Sequence, residues 1–201
     1  MIYDTAQIVK ERFDHRNYIK ANGQKVLLTV PLLTESWFKP FKDVKINNVT
    51  SWRLKHWQTI EMAYHKAPYF SSYSAGFKKI FEQEHDSLTA ITIPLIREIL
   101  RIMGWDGKII CSSALPIDTS LRSTDALIEI LQKVGATSYL AGASSKKYLN
   151  ETPFTRLGIG LEYHHFEHPT YNQLGQGFIS HLAAIDAIFN IGEKIKEIMQ
   201  L

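Results

Sequence analysis

The sequence predicts an α/β fold in a single domain, residues 1–201, with a mostly parallel sheet flanked by helices and an antiparallel hairpin near the amino terminus. Strand-like and helical patterns alternate between residues 100 and 165, and helical crossovers between successive strands favour parallel pairing. The dipeptide Asn22-Gly23, which is typical of tight hairpin turns, separates two β-rich runs. The chain also has 45% hydrophobic residues, enough to bury one core, and no repeat or linker divides it.

The first half of the chain predicts a hairpin, a strand and a helix. The hairpin covers residues 18–33, and Pro31 ends its second strand. A short strand over residues 44–49 follows. Ser51 is a suitable cap for a helix that Pro68 would end, since apolar residues recur there at helical spacing.

The second half begins with a long helix. It should open at Asp86 or Ser87 and end at Gly104, because apolar residues repeat every three or four positions between them. Pro94 lies inside this pattern, so we expect a kink or a restart of the helix there.

The remaining elements follow in alternation. We expect a buried strand over residues 108–111, a helix over residues 124–134, a strand over residues 139–141 and a strand through residues 159–163. An apolar helix that carries Asp186 and Asn190 comes last.

Charge, cysteine content and hydropathy exclude several classes of function. A net charge of +3, with lysine and arginine spread along the chain, does not indicate nucleic-acid binding. The lone Cys111 cannot form an intramolecular disulfide, and no apolar run is long enough to cross a bilayer. We therefore expect a cytoplasmic protein without a membrane partner.

The segment from residue 158 to residue 192 carries an unusual density of polar and aromatic side chains. His164, His165 and His168 suggest a metal site, but adjacent residues of an extended chain point to opposite faces and no further ligand has a suitable spacing. We predict no metal and no bound cofactor. His168 beside Pro169 is better interpreted as a substrate contact or a loop anchor.

Two groups in the first half are candidates for substrate contact. Arg16 and Asn17 precede the hairpin, where an arginine could bind a phosphate or carboxylate, or could instead form a surface ion pair. Trp52, His56 and Tyr64 lie near one helical face. His56 could act as a general base, although aromatic residues at this spacing are also typical of a core.

Two groups in the second half complete the set. The turn that contains Gly142, Ser144 and Lys146 follows a strand and could bind a phosphate, or could simply cap a helix. Asp186 lies in an otherwise apolar helix, where a buried carboxylate needs a partner. It could cap a turn or pair with Arg16, or it could orient a catalytic histidine or a substrate.

Short matches in a fixed order make the chain similar to the WbqC-like family of bacterial proteins. They are Ile2-Tyr3-Asp4 with Gln7; Arg16-Asn17; Leu28-Thr29-Val30-Pro31; Trp52 with His56; Tyr64 with Ala67-Pro68-Tyr69-Phe70; Asp125 with Leu127-Ile128; Gly135-Ala136 with Tyr139-Leu140 and Gly142; Tyr148-Leu149; Phe154; Gly158-Ile159; His168-Pro169 with Tyr171 and Gln173; Phe178; and Asp186 with Phe189-Asn190 and Gly192. The resemblance implies a role in surface-polysaccharide and O-antigen gene clusters. It also implies an amino-terminal strand and a Gln-Pro loop ahead of Met1, so we expect either a misplaced start codon or the loss of part of the family's site.

Two hypotheses of function follow. In the first, the protein is a transferase that moves an acyl-type group onto an amino or hydroxyl group of a nucleotide-linked sugar or a related metabolite. His56 would be the base and Asp186, with Tyr171, Gln173 and Asn190, would orient the acceptor. In the second, the protein is a non-catalytic binding or assembly subunit, and homo-oligomers are compatible with both. The first hypothesis expects Arg16, His56, Gln173 and Asp186 to surround one cavity at the carboxyl edge of the parallel sheet.

Overall fold

The computed structural model describes residues 1–10 and 13–199, which form two compact units. The first unit combines Met1–Thr5 with Lys108–Glu167, and the second combines Ala6–Gly107 with His168–Leu201. Each unit has its own hydrophobic core. The predicted mixture of helices and strands is confirmed, but the parallel sheet has only two strands, as many as the hairpin.

The predicted hairpin is confirmed in the second unit. Strand β1, Arg16–Ala21, pairs antiparallel with β2, Gln24–Thr29. Asn22 and Gly23 both have positive φ, 51° and 74°. This is the backbone of a type I′ turn, whose twist matches that of the two strands.

The predicted strand over residues 44–49 forms only two isolated bridges. Its backbone alternates between partners, since Lys45 O accepts from Leu33 N while Ile46 N donates to Asp86 O. The bridges accordingly pair Leu32 with Ile46 and Lys45 with Ser87. A segment that shares its hydrogen bonds between two neighbours builds no continuous ladder with either.

Four helices enclose the core of the second unit. They are α1, Trp52–Tyr64; α2, Phe70–Glu82; α3, Leu88–Ile102; and α6, Ala184–Ile191, which follows α4, Ser123–Lys133, and α5, Thr152–Leu157, of the first unit. Helix α1 begins after Ser51 and α3 begins after Ser87, as predicted. Helix α3 runs through Pro94 without a restart. Helix α2 has no counterpart in the sequence prediction, and a short α7, Ile195–Met199, follows α6.

Phe189 on α6 is the centre of this core. Its ring lies 5.5 Å from that of Tyr64, 5.0 Å from that of Phe70 and 5.7 Å from that of Phe77. Phe189 is fully buried. Since aromatic rings supply large apolar area and favour tilted contacts, this cluster holds α1, α2 and α6 together.

The first unit is smaller. Helix α4, Ser123–Lys133, and α5, Thr152–Leu157, accompany strands β3, Ser138–Gly142, and β4, Gly160–His164, which pair in parallel. Buried Ile128, Leu131, Phe154 and Ile159 form the core. The predicted strand over residues 108–111 contributes a single parallel bridge between Cys111 and Ile2.

No helix within the described residues is both long and apolar enough to cross a bilayer.

Candidate functional site

The second unit contains a half-open cavity of about 300 Å³. Its polar lining comes from four consecutive residues at the start of the hairpin and from α1 and α3: Asp14, His15, Arg16, Asn17, His56 and Thr92. The rest of the lining is apolar and comes from the hairpin, α1, α2, α3 and the start and middle of α6. Such a cavity, mostly apolar with a few polar groups, is typical of small-molecule sites.

Arg16 and Asn17 reach this cavity because β1 begins there. Arg16 pairs with Thr29 across the hairpin and is partly buried. Among the described residues Arg16 forms no ion pair with Asp14, and Glu11, the other predicted partner, lies outside them. The guanidinium therefore has no anionic partner in the described part of the chain.

His56 on α1 lines the same cavity in an aromatic environment. Its ring lies 5.2 Å from that of Trp52 and 6.3 Å from that of Phe81, both in edge contact. Burial lowers the pKa of His56, and a hydrogen bond to the backbone of Thr29 opposes this only in part. The imidazole is thus neutral at pH 7, the form in which a histidine can accept a proton.

Trp52 lies behind His56 and not on the cavity wall. The indole is buried, and its Nε1 donates to Oδ1 of Asn48 at 3.0 Å. Its edge contact positions the His56 ring. The predicted direct contact of Trp52 with a substrate remains a prediction.

His15 is a cavity residue that the sequence prediction missed. The side chain is 8% exposed, its ring packs on that of Trp37 at 5.3 Å, and Nδ1 has no hydrogen-bond partner among the described residues. Burial and the positive charge of Arg16 lower its pKa, while Asp14 opposes them. The only signal in the sequence was its place beside Arg16.

Asp186 is completely buried and accepts three side-chain hydrogen bonds. Its Oδ2 accepts from the Tyr64 hydroxyl at 2.8 Å, and Oδ1 accepts from the Tyr171 hydroxyl at 2.8 Å and from Gln173 Nε2 at 2.9 Å. Burial and the charge of Asp186 raise the pKa of both tyrosines. The partner that the sequence required is thus a set of neutral donors, and it is not Arg16. Its catalytic role stays a prediction.

Gln173 and Asn190 tie the segment before α6 to the same network. The Gln173 side chain both donates to Ile179 O and accepts from Ile179 N, at 2.8 and 2.9 Å. Asn190 Oδ1 accepts from Leu174 N at 2.7 Å. Both side chains were predicted to contact a substrate, but these hydrogen bonds are made to the protein backbone. The predicted substrate contacts stay predictions.

His168 anchors the beginning of this segment. Its Nδ1 lies 2.9 Å from Pro169 O, and its Nε2 accepts from His181 N at 3.0 Å. The rings of Tyr171 and Phe178 pack beside it. These contacts are compatible with the predicted loop anchor, and the predicted substrate contact stays a prediction.

Gly142, Ser144 and Lys146 belong to the first unit. Gly142 ends β3, and the other two lie exposed in a 3-10 helix, Ala143–Lys147, where a short helix was expected. The Lys146 Nζ lies 5.8 Å from the centroid of the Tyr163 ring. Their phosphate-binding role stays a prediction.

The four residues expected to meet form two pairs within the second unit. Arg16 and His56 line the cavity, and Gln173 and Asp186 bond to each other. Helix α6 links the two pairs. Its residues Ile185 and Phe189 line the cavity, and its Asp186 accepts the hydrogen bond of Gln173. In the described residues no three histidine, cysteine or acidic side chains are grouped so as to hold a metal ion.

Comparison with known proteins gives a family and one curated relative. The sequence model of the WbqC-like protein family matches residues 1–198. The chain is similar to "Uncharacterized protein Rv1507c" of Mycobacterium tuberculosis (strain ATCC 25618 / H37Rv), with 25% identity over 202 residues that cover 100% of this chain and 87% of the relative. No solved structure matches significantly.

Proposed function

The chain belongs to the WbqC-like protein family, and we propose that it is a transferase acting in surface-polysaccharide biosynthesis. It moves a small acyl-type group onto an amino or hydroxyl group of a nucleotide-linked sugar or a related metabolite. One observation carries the proposal: a neutral histidine, His56, and an arginine without an anionic partner in the described chain, Arg16, line the same largely apolar cavity.

His56 is the general base of the proposed reaction. We assign the proton to the ring nitrogen that faces the Thr29 backbone, because this contact raises the pKa of His56 against the effect of burial, and the second nitrogen then keeps its lone pair. It takes the proton of the acceptor amine or hydroxyl as that group bonds to the carbonyl carbon of an acyl thioester. The carbon–sulfur bond then breaks, and the leaving thiolate recovers the proton from the imidazolium.

Arg16 stabilises the charge that develops on the carbonyl oxygen. Its planar guanidinium offers several N–H donors, and a partly buried position strengthens their effect. Asn17, the next residue, provides a further polar group on the same wall. No bound cofactor is needed for these steps.

The Asp186 network supports the site from outside the cavity. Ala183, Ala184 and Ile185 lie on the cavity wall immediately before Asp186. The three donors to Asp186 fix this turn, so Asp186 is proposed as a positioning residue. Tight placement of cavity walls is what orients two reactants toward each other.

The proposal is tested by incubating the full chain with acyl thioesters and nucleotide-linked amino sugars, with mass spectrometry to detect acylated product. His56→Gln should lower the rate by about 10² to 10⁴. His65→Gln is the matched control, because His65 is an exposed residue at the end of the same helix and does not line the cavity. Unchanged turnover in His56→Gln would remove the proposed base, and binding without turnover in the wild type would favour the non-catalytic subunit.

A further inference from the structure

We infer that the cavity of the second unit is a binding site for a short to medium hydrocarbon chain that ends in a carboxyl or carboxyl-derived group. The inference rests on the proposed function in one respect: the bound hydrocarbon chain would be the acyl group that the protein transfers. The binding itself can be measured without any turnover.

The interior of the cavity is suited to a hydrocarbon chain and not to a sugar. Side chains from the hairpin and four helices surround it, and its apolar members include Ile60, Phe77, Leu88, Ile91 and Phe189, each at most 2% exposed. A hydroxyl-rich ligand would lose its hydrogen bonds to water there, whereas an alkyl chain would gain from leaving water.

The polar groups identify the head of the ligand. Arg16 has no anionic partner among the described residues, and His15 leaves Nδ1 unpaired there although the side chain is 8% exposed. A carboxylate or thioester oxygen would accept hydrogen bonds from the Arg16 guanidinium, and the His15 ring lies on the same wall. Asp14 brings a negative charge to the same wall, but the effect of Arg16 on the pKa of His15 is the larger of the two. Of these two charges the arginine has the stronger effect at His15, which favours an anionic head.

The size of the cavity limits the length of the chain. A volume of about 300 Å³ is at the small end for sites that hold small molecules. Affinity should therefore rise with chain length and then level off when the cavity is full. A long-chain lipid does not fit this description.

The first test is isothermal titration calorimetry with butanoate, hexanoate, octanoate and decanoate. Within the cavity each added methylene should tighten binding roughly fourfold, until a plateau is reached. Octylamine, which has the same chain and a cationic head, should bind at least about tenfold more weakly than octanoate. Affinity that is independent of chain length, or tighter binding of octylamine, overturns the inference.

Two pairs of variants locate the ligand. Ile99→Trp fills a lining position on α3 and should abolish octanoate binding, whereas Ile96→Trp on the same helix, off the lining and outside the core, should not. Arg16→Gln should weaken octanoate at least about tenfold and leave octanol unchanged. Arg97→Gln, at an exposed position off the cavity, is its control. Equal octanoate binding in both members of either pair excludes this cavity.

Wild-type protein provides a measurement that does not depend on folding of Ile99→Trp. Nuclear Overhauser effects should connect the octanoate chain with the methyl groups of Leu95 and Ile99, and their absence in a saturated complex excludes the site.

The outcomes also separate the hydrocarbon site from the transferase activity. If His56→Gln still binds octanoate but has lost turnover, both the hydrocarbon site and the transferase activity are supported. If the wild type binds the acids as described but turns over no acceptor, the hydrocarbon site stands and the transferase proposal is rejected. Turnover without any effect of chain length removes only the hydrocarbon site.

Discussion

The hydroxyl of Tyr64 donates a 2.8 Å hydrogen bond to the carboxylate of Asp186, although 122 positions separate the two residues. The same hydroxyl accepts from the backbone N–H of Lys20 at 3.0 Å. Tyr64 is 1% exposed and Asp186 is 0% exposed. One buried group therefore joins α1, β1 and α6. Without it the Lys20 N–H would lose its acceptor and Asp186 would lose one of its three side-chain donors.

Tyr64→Phe should destabilise the protein by about 1 to 3 kcal/mol, because the Lys20 N–H loses its acceptor and Asp186 loses one donor while packing is kept. Chemical denaturation of the full chain measures this. Tyr18→Phe is the control, since no hydrogen bond of its hydroxyl occurs in the described residues, and it should change stability far less. Equal effects of the two substitutions would show that the Tyr64 bond contributes nothing specific.

The same network predicts a loss of stability at alkaline pH. Burial and the charge of Asp186 raise the pKa of Tyr64 and Tyr171 above the usual 10.0. Above pH 10 these phenols ionise in the unfolded chain first, so the unfolded state binds fewer protons and stability falls as pH rises toward the folded pKa values.

Between pH 10 and pH 11 each buried phenol contributes a slope of up to about 1.4 kcal/mol per pH unit. Tyr64→Phe should flatten the alkaline limb by one such contribution, as measured by denaturation at several pH values. Identical limbs for this variant and the wild type contradict the assignment.

Elements whose conformation depends on neighbouring residues in the sequence could be predicted from the sequence. Asn22-Gly23 favours a turn with two positive φ angles, and together with the β-rich runs on either side it predicted the hairpin. Helix α2, Phe70–Glu82, was not predicted, because its helical propensity is weakened by Ser71, Ser72, Ser74 and Gly76. Phe77 and Phe81 nevertheless recur at helical spacing, and they are the side chains that bury its inner face.

The site could be predicted only in part, since its contacts cross long stretches of chain. The cost of burying Asp186 indicated that a partner must exist, but no pattern indicated that a tyrosine at position 64 supplies it. His15 shows the opposite case. Apart from its position beside Arg16, the sequence gives no sign of its role, and only the fold places it on the wall that carries Arg16 and His56.

The two cavity histidines predict a loss of stability in mild acid. Burial lowers the pKa of both His15 and His56 below the usual 6.5. Their contribution is fully present above pH 6.5 and is lost as pH falls from there toward the folded pKa values, because the unfolded chain takes up protons first. The double variant His15→Phe/His56→Phe should therefore lose less stability than the wild type between pH 7 and pH 5. Denaturation at the two pH values measures it, and parallel losses would show that other groups control the acid limb.

Gly192 ends α6 in a conformation that only glycine adopts readily, with φ 58° and ψ −136°. A Cβ there would lie 2.6 Å from Cδ1 and 2.8 Å from Cε1 of the Tyr69 ring, closer than any real contact. The Tyr69 backbone is itself held against α6, because its N–H donates to Phe189 O at 3.0 Å. Gly192→Ala should thus combine backbone strain with a clash and cost at least about 2 kcal/mol in the free energy of unfolding.

Gly175→Ala isolates the strain, since Gly175 has φ 79° and open space around its Cα, and it should cost roughly 1 to 2 kcal/mol. If Gly192→Ala proves no more damaging than Gly175→Ala, the Tyr69 ring yields to the new methyl group and the close packing of α6 against Tyr69 does not constrain the helix end.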